Sequence, residues 1–229
     1  MVKVKKGILF YTDPSLKNEK LKKLSRKTIK ASGLPITCVS LRENVDMGGK
    51  NLTLHGYRSH TTLYTQILLG LLVSEAKYIF FCEHDCLYHK SHFDFTPPTD
   101  KKYYYNNNVY KYRLSDRKVV GYDCNWLSQL CANRDLLISH YTKRFKRIAA
   151  GKRAYGYEPG TGQSRLIERT SFERFESKYP NLDVRHGDNW TGTKRMDPKE
   201  FRDKSTCQNF KVVDIEKIPG WDTKVLKSI

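Results

Sequence analysis

The hydrophobic and polar positions at the start of the chain alternate between strand-like and helix-like patterns. An apolar run at residues 7–12 predicts a buried strand, and residues 16–31 carry apolar side chains at helical spacing with lysines on the remaining faces. A Ser-Gly pair and a proline at residues 32–35 predict the end of this helix, and residues 36–40 form a second apolar run. A strand, a helix and a strand in this order predict a βαβ unit, and hence a parallel sheet covered by helices.

The same patterns recur further along the chain. Residues 42–56 are polar and predict a loop, residues 59–75 carry a leucine-rich stripe that predicts a helix, and residues 77–82 predict a third buried strand. Two tyrosine-rich segments predict a pair of strands around an asparagine-rich turn, at 103–105 and 109–112. Two further strands and a third helix are predicted at 119–121, 126–132 and 135–147. The order of elements predicts a single α/β domain with a mainly parallel central sheet flanked by helices.

Composition and charge narrow the classes of protein to consider. A chain of 229 residues can bury its own core without a disulfide or a metal, and 12% aromatic residues exclude a disordered tail. No apolar run approaches the ~20 residues that span a bilayer, and the first apolar run is too short for a signal peptide. With six cysteines, this predicts a cytoplasmic protein whose thiols stay reduced. Lys and Arg number 42 against 24 Asp and Glu, and the net charge of +18 favours a polyanionic partner such as nucleic acid, an anionic membrane or a phosphorylated ligand.

An acidic tripeptide, Glu83-His84-Asp85, follows the third predicted strand. In open α/β sheets, ligands bind beyond the carboxyl ends of the strands. A carboxylate at that edge can hold Mg²⁺ or Mn²⁺ against a diphosphate, because these ions prefer oxygen ligands. The same pattern is equally typical of an acid that caps the end of a strand.

A nearby set of cysteines and histidines offers a different candidate, a zinc site. Its four members are Cys82, Cys86, His89 and His92. Their spacing matches no common zinc finger, and ligands that straddle the end of a strand have difficulty converging on one ion.

Together, these features resemble the GT-A-fold glycosyltransferases. The resemblance rests on the βαβ start, on a helix containing Gln66-Ile67-Leu68-Leu69-Gly70-Leu71, and on an apolar third strand that ends in acid-x-Asp. It covers roughly residues 7–195. It therefore implies a transferase domain at 1–195 and a C-terminal extension at 196–229 that packs on it.

The resemblance implies a metal centre. In this superfamily an Asp-x-Asp motif chelates the metal ion of a nucleotide-sugar, which makes Asp85 a ligand of Mn²⁺ or Mg²⁺. Glu83 replaces the first Asp of the motif, so it can bind the metal or contact the sugar or ribose instead. A late histidine commonly supplies another ligand, and His186 fits that position. A histidine in a Gly-rich turn can equally be structural.

The resemblance also implies residues that bind the donor, for which a UDP-sugar is the expectation. Arg185, Lys194 and Arg195 would neutralise the diphosphate as it leaves. Asp13, just past the first strand, lies where such enzymes hold the base and ribose. Its alternative role is an ordinary helix N-cap.

An inverting transfer needs a carboxylate base to take the proton of the acceptor hydroxyl. In GT-A enzymes this acid follows a strand and a helix that come after the metal motif. Glu158 is the next acid after such a pair and is the first choice, with Asp123 as the reserve. A loop glutamate such as Glu158 is also typical of an ordinary solvated acid.

The charge excess is larger than a nucleotide-sugar requires, and it is concentrated in basic runs at 17–30, 143–147 and 152–153, with tyrosines nearby. Basic grooves interleaved with aromatics are typical of proteins that handle DNA, although a generic solvated surface accounts for the same runs. The favoured interpretation is a transferase that moves a sugar to a hydroxymethyl-pyrimidine base in DNA. It resembles the phage and kinetoplastid enzymes that glucosylate such bases, and it would flip the base toward the donor.

Two alternatives stay open at this point. One is a transferase that acts on a glycan or lipid, whose basic patches would meet an anionic membrane. The other is a nucleic-acid-binding module with no catalysis. The acidic strand end argues against the second, because carboxylates repel phosphates unless a metal lies between them.

Overall fold

A seven-stranded sheet crosses the computed structural model, which describes residues 5–152, 158–162, 167–187, 189, 195–201 and 207–229. Numbered along the chain, its strands lie in the order β10 (Phe172–Phe175), β6 (Tyr103–Asn106), β9 (Leu130–Asn133), β4 (Tyr78–Glu83), β1 (Lys6–Thr12), β2 (Ile36–Leu41) and β3 (Lys50–Leu54). Neighbouring strands are parallel except at β9, which is antiparallel to both β6 and β4. The mainly parallel α/β fold expected from the sequence is confirmed.

Three helices cover the two faces of this sheet: α1 (Glu19–Lys30), α2 (His60–Val73) and α3 (Arg134–Ala149). Leu9 and Tyr11 of β1 share a core with residues of α2 and α3. Ile8 and Phe10 belong to a separate core with Ile29 of α1, because successive side chains of a strand point to opposite faces. Strands buried on both faces read as continuous apolar runs, which is why the sequence pattern identified β1, β2 and β4.

A second, five-stranded sheet is mostly antiparallel. Its strands lie in the order β12 (Lys211–Val213), β8 (Val119–Gly121), β7 (Val109–Arg113), β11 (Asn181–Arg185) and β5 (Cys86–Leu87), and only β7 and β11 pair in parallel. The C-terminal residues belong to this sheet and its core. Leu226 of the short helix α4 (Thr223–Lys227) is fully buried, and its carbonyl accepts a hydrogen bond of 3.1 Å from the hydroxyl of Tyr112.

One expectation about strands is wrong. The segment 42–56 was expected to be a loop, but it contains β3. Because β3 is a partly exposed edge strand, its polar residues give no clear apolar pattern in the sequence. The two tyrosine-rich segments are strands, as expected, but β6 joins the first sheet and β7 the second. The turn between them is tied to other segments instead: Asn106 Nδ2 donates to Ser177 Oγ at 2.9 Å, and Asn107 Nδ2 donates to Asp123 Oδ1 at 3.1 Å.

The ends of two other elements also differ from expectation. Helix α1 begins at Glu19, and its N-cap is Asn18, whose Oδ1 accepts from Leu21 N at 3.0 Å. Asp13 is therefore not the cap, and the interpretation of Asp13 as an N-cap is wrong. The strand expected at 126–132 starts as a 3-10 helix and becomes β9 only at its end. No helix in the described ranges is long and apolar enough to cross a membrane, and all six cysteines are free thiols.

Candidate functional site

A cleft of about 710 Å³ lies over the carboxyl ends of the parallel strands. Its floor includes the last residues of β1 and β2 and the residues that follow β1 and β4. The parallel arrangement brings these ends to one edge of the sheet, which is where open α/β sheets bind their ligands. One wall comes from α2 and α3, and the opposite wall comes from β7, β11 and the residues beyond β11.

A candidate metal centre adjoins this floor, where His84 and Asp85 line the cleft and His186, which is not among the lining residues, lies beside them. His84, Asp85 and His186 each place a ligand atom within 4.8 Å of the others, and Asp85 Oδ2 lies 3.8 Å from His186 Nε2. In the described part of the chain, this is the single group of three or more His, Cys, Asp or Glu side chains that converge in this way. Two imidazoles and one carboxylate fit a divalent ion, and the imidazoles favour a transition metal over Mg²⁺. The roles of Asp85 and His186 as ligands stay predictions.

Two segments a hundred residues apart are joined at this centre. The backbone N–H of Val184 donates to the Asp85 carbonyl at 2.8 Å, so the end of β11 lies against the loop after β4. Asn189 connects the side chains: its Nδ2 donates to Asp85 Oδ2 at 2.7 Å, and its Oδ1 accepts from His186 N at 2.8 Å. Such bonds orient metal ligands in proteins.

The protonation states of the centre suit metal binding. Burial lowers the pKa of His84 below its ordinary value, so its ring is neutral, and Nδ1 lies 2.9 Å from the hydroxyl of Thr12. Burial alone would raise the pKa of Asp85. The neighbouring His186 ring and the positive charge of Arg185 outweigh it and hold that pKa well below the ordinary value. A neutral imidazole and an ionised carboxylate are the forms that bind metal ions.

Glu83 lies beside the metal centre but is not part of it. Its Oε1 accepts a hydrogen bond of 2.5 Å from the hydroxyl of Tyr11. Burial and the charge of Asp85 raise the pKa of Glu83 to about 8, so its carboxyl group is mostly protonated at neutral pH. The Glu83 side chain is therefore held by Tyr11 of β1 and does not belong to the cluster of candidate metal ligands.

Asp13 and Arg58 form an ion pair at the end of β1. Asp13 Oδ2 accepts from Arg58 Nε at 2.9 Å, and Asp13 Oδ1 accepts from Ser15 N at 2.7 Å. Both side chains line the cleft, and the role of Asp13 in binding a donor stays a prediction. Sequence reasoning missed Arg58, because it stands alone in a loop and belongs to no motif.

The opposite wall is basic. Arg185 lines it and donates to Asp183 Oδ2 at 2.7 Å, and Arg195 lines it as well, whereas Lys194 lies outside the described residues. Lys111 of β7 is buried there, with Nζ 4.9 Å from the ring centre of Trp126. Burial lowers the pKa of Lys111 to about 7, and Arg185 adds to the shift. Sequence reasoning missed Lys111 because it stands between two tyrosines, a pattern that is typical of an ordinary strand.

Of the two candidate bases, one reaches the cleft. Glu158 lines the wall next to α3, and burial raises its pKa to about 7, against the opposing charge of Arg144. Asp123 is not among the described residues that line the cleft. Asp123 accepts hydrogen bonds from Asn107 Nδ2 at 3.1 Å and from Arg174 Nη1 at 3.0 Å, so its carboxylate is paired with a cation away from the lining of the cleft.

The zinc candidate is not supported by the geometry. Cys82 lies within β4 and packs in the core on the α1 side of the sheet, together with Cys86. His92 is fully buried and lies edge-on to Phe80 at 5.2 Å between ring centres. These side chains do not converge with His89 into a set of ligands, because strand alternation and core packing direct them elsewhere.

A comparison with protein-family models finds no match, and a comparison with curated proteins finds none either. Among solved structures, the chain is similar to a cytidylyltransferase from Leptospira borgpetersenii, with a TM-score of 0.46, 14% identity and 77% of each chain covered. It is also similar to the glycosyltransferase GlyE of Streptococcus pneumoniae, with a TM-score of 0.46, 12% identity, and coverage of 76% of this chain and 46% of that one. A third similar structure is a Drosophila β1,4-galactosyltransferase 7 mutant in complex with manganese, UDP-Gal and xylobiose, with a TM-score of 0.33, 13% identity and coverage of 72% and 69%. The chain thus spans less than half of the GlyE chain, and similarity at this level assigns no activity to it.

Proposed function

We propose that this chain is a metal-dependent glycosyltransferase that moves a sugar from a nucleotide-sugar to an acceptor hydroxyl. The observation that carries the proposal is the cluster of His84, Asp85 and His186, of which His84 and Asp85 line the floor of a cleft with cationic side chains on both walls. A diphosphate needs this combination of a divalent ion and fixed positive charges. The proposal agrees with the resemblance of the sequence to GT-A enzymes.

Different residues of the cleft would carry out different parts of this reaction. When bound, the metal ion supplies a Lewis acid for the diphosphate. Arg58 on one side and Arg185 and Arg195 on the other would stabilise the negative charge that develops as the bond from the sugar to the diphosphate breaks. Glu158 would accept the proton of the acceptor hydroxyl as the new glycosidic bond forms. A carboxyl group with a pKa of about 7 is well matched to that task at neutral pH.

The finer part of the proposal concerns the donor and the acceptor. UDP is the proposed nucleotide, and a hydroxymethyl-pyrimidine base in DNA is the proposed acceptor. The support for DNA is the net charge of +18 together with exposed lysines on α1, such as Lys23, Lys27 and Lys30. One member of the basic run at 143–147 does not contribute to that surface, because Arg144 is buried.

Calorimetry of UDP binding tests the metal centre. The arms are wild type with Mn²⁺, with Mg²⁺, with Fe²⁺ under anaerobic conditions and with EDTA, and the Asp85→Asn variant with Mn²⁺. We expect Mn²⁺ to strengthen binding by about tenfold or more over EDTA, and Asp85→Asn to remove that gain. Asp123→Asn is the matched control, because this aspartate is bound outside the cleft. Equal affinity with Mn²⁺, with EDTA and in Asp85→Asn would refute a metal-bridged diphosphate.

A transfer assay tests the reaction. The protein is given Mn²⁺, a panel of UDP-sugars, and either plain or hydroxymethyl-pyrimidine DNA, and the digested nucleosides are weighed by mass spectrometry. A hexose-sized mass gain on the modified base, lost in Asp85→Asn and Glu158→Gln, supports the whole proposal. Donor hydrolysis without DNA binding favours a glycan or lipid acceptor, and DNA binding without mass gain favours a binding module. Release of pyrophosphate from a nucleoside triphosphate and a sugar phosphate would indicate nucleotidyl transfer instead.

A further inference from the structure

A chain of buried polar side chains leads from the interior of the protein to the cleft. Glu168 Oε1 lies 2.6 Å from His140 Nδ1, and Arg144 Nε donates to His140 Nε2 at 2.7 Å. Arg144 Nη1 also donates to the hydroxyl of Tyr64 at 2.9 Å. Tyr103 binds the same oxygen of Glu168 through its hydroxyl. Arg144 is 1% exposed, yet it lines the cleft, so this chain holds a buried cation at the wall.

The chemistry of the donors fixes the direction of the chain. A guanidinium can only donate, so Nε2 of His140 must accept and the ring proton lies on Nδ1. Nδ1 then donates to the carboxylate of Glu168. Burial lowers the pKa of His140, which agrees with a neutral ring. Nε and Nη1 of Arg144 are thus bound by two neutral groups, while its carboxylate counterpart, Glu168, lies one residue further from the cleft.

The titratable groups around Glu158 show how Arg144 affects its ionisation. Glu158 itself raises the pKa of titratable groups on β1, β4, β6 and α3, namely Tyr11, Glu83, Tyr105 and Tyr141. Burial raises the pKa of each, so these groups are mostly neutral at pH 7. Arg144 carries a permanent charge and lines the same cleft as Glu158, and its charge favours the ionised form of Glu158.

We propose that Glu168, His140 and Arg144 are positioning residues for Glu158, and that Glu168 and His140 hold the Arg144 guanidinium where its charge favours the carboxylate form of Glu158, which can accept a proton. This inference rests on the proposed role of Glu158 as the base. Without the guanidinium, burial acts on Glu158 unopposed and the carboxyl group stays protonated at neutral pH. Without Glu168, the imidazole loses the acceptor that fixes its tautomer, and the guanidinium loses its orientation.

A direct titration of Glu158 tests the inference without any activity. The protein is labelled with ¹³C at the glutamate side-chain carboxyl carbons, and the resonance of Glu158 is assigned by its loss in Glu158→Gln. We expect Arg144→Met to raise the pKa of Glu158 by one unit or more, which is about a tenfold change in its proton affinity. Glu168→Gln should raise it by a smaller amount. Arg144→Lys keeps the charge, so it should restore most of the wild-type value.

The matched control is Lys143→Met. Lys143 precedes Arg144 on α3 and its Nζ lies 3.6 Å from Glu168 Oε2, but its side chain is half exposed and does not line the cleft. We expect no change in the titration of Glu158 in this variant. The inference is overturned if folded Arg144→Met titrates like wild type, or if Lys143→Met shifts the titration as much. Backbone amide spectra show which variants are folded, and if Arg144→Met is not, Arg144→Gln, which also removes the charge, takes its place with the same expected shift and the same refuting outcome.

The two proposals can fail separately. If the transfer assay is negative, the titration still reports whether Arg144 controls the ionisation of Glu158. If transfer occurs, the acidic limb of the pH profile of kcat/KM should move to higher pH in Arg144→Met by the same amount as the titration. A positive transfer assay with an unshifted limb and an unshifted titration refutes this inference and leaves the glycosyltransferase in place.

Discussion

His92 makes the stability of this protein sensitive to acid. It lies in the 3-10 helix Lys90–Asp94 and is fully buried, with aromatic rings around it. The Asn106 amide is fixed because its Oδ1 accepts from the backbone N–H groups of Asn108 at 3.0 Å and Ser177 at 3.1 Å. Asn106 Nδ2 therefore faces His92 and donates to Nδ1 at 3.1 Å. The ring proton must lie on Nε2, which is buried and has no hydrogen-bond partner in the described part of the chain.

The size of the effect follows from the pKa of this ring. Burial lowers the pKa of His92 from 6.5 to about 3 in the folded protein, and the unfolded chain keeps the ordinary value. Below the ordinary value the unfolded state binds a proton that the folded state does not, so stability falls as the pH falls. Between pH 7 and pH 5, this linkage removes about 2 kcal/mol from the free energy of unfolding.

Urea unfolding of wild type and His92→Phe at pH 7 and pH 5 measures this contribution. Phenylalanine fills the same space and removes the unsatisfied N–H, while Asn106 loses an acceptor, so we expect the two proteins to agree within about 1 kcal/mol at pH 7. Between the two pH values, wild type should lose about 2 kcal/mol more than His92→Phe. His55→Asn is the control, because this histidine is exposed, and it should behave like wild type. An equal loss in wild type and His92→Phe would refute the reasoning.

Three further substitutions test packing, capping and surface charge, each by urea unfolding at pH 7. In Gly70→Ala, the new Cβ would lie 2.2 Å from Leu9 Cδ1, so we expect a loss of about 1–3 kcal/mol although alanine favours a helix; an unchanged free energy of unfolding would contradict the packing of α2 on β1. Asn133 accepts from two backbone N–H groups as the N-cap of α3, and Asn133→Ala should cost about 1 kcal/mol, whereas no loss would place the start of α3 elsewhere. Glu75 pairs with Lys50 on the exposed surface, so Glu75→Gln should leave the urea midpoint unchanged, and a clear decrease would show that this pair is not screened by solvent.

The sequence predicted the part of the fold that periodicity determines. Strands β1, β2 and β4 and helices α1 to α3 are apolar in long, regular patterns, and all were expected near their observed positions. Strand β3 was missed because an edge strand needs few apolar residues. The pairing of β7 with β11 joins residues 109–113 to residues 181–185, and no local pattern encodes so distant a contact.

The candidate site was predicted in outline for a similar reason. Residues after a buried parallel strand must lie at the carboxyl edge, which placed Asp85 correctly, but His186 reaches it only through the pairings of β11. His84 was not assigned as a ligand because it occupies the unassigned middle position of the acid-x-Asp pattern. Once β4 has ended, adjacent side chains are free to face the same cleft. Arg144 was assigned to a basic surface, since its burial depends on tertiary partners such as His140.

The charge of the cleft differs from the charge of the protein as a whole. Among the described residues that line the cleft, six carry carboxyl groups and five are Lys or Arg, although the chain has a net charge of +18. The positive excess therefore lies outside the cleft. A diphosphate entering a cleft with so little net charge gains its attraction from a divalent ion, whereas a polyanion on the outer surface needs no metal. Removal of the metal should consequently weaken the binding of the nucleotide and leave the binding of a polyanion unchanged, because the two ligands depend on different charges of the same protein.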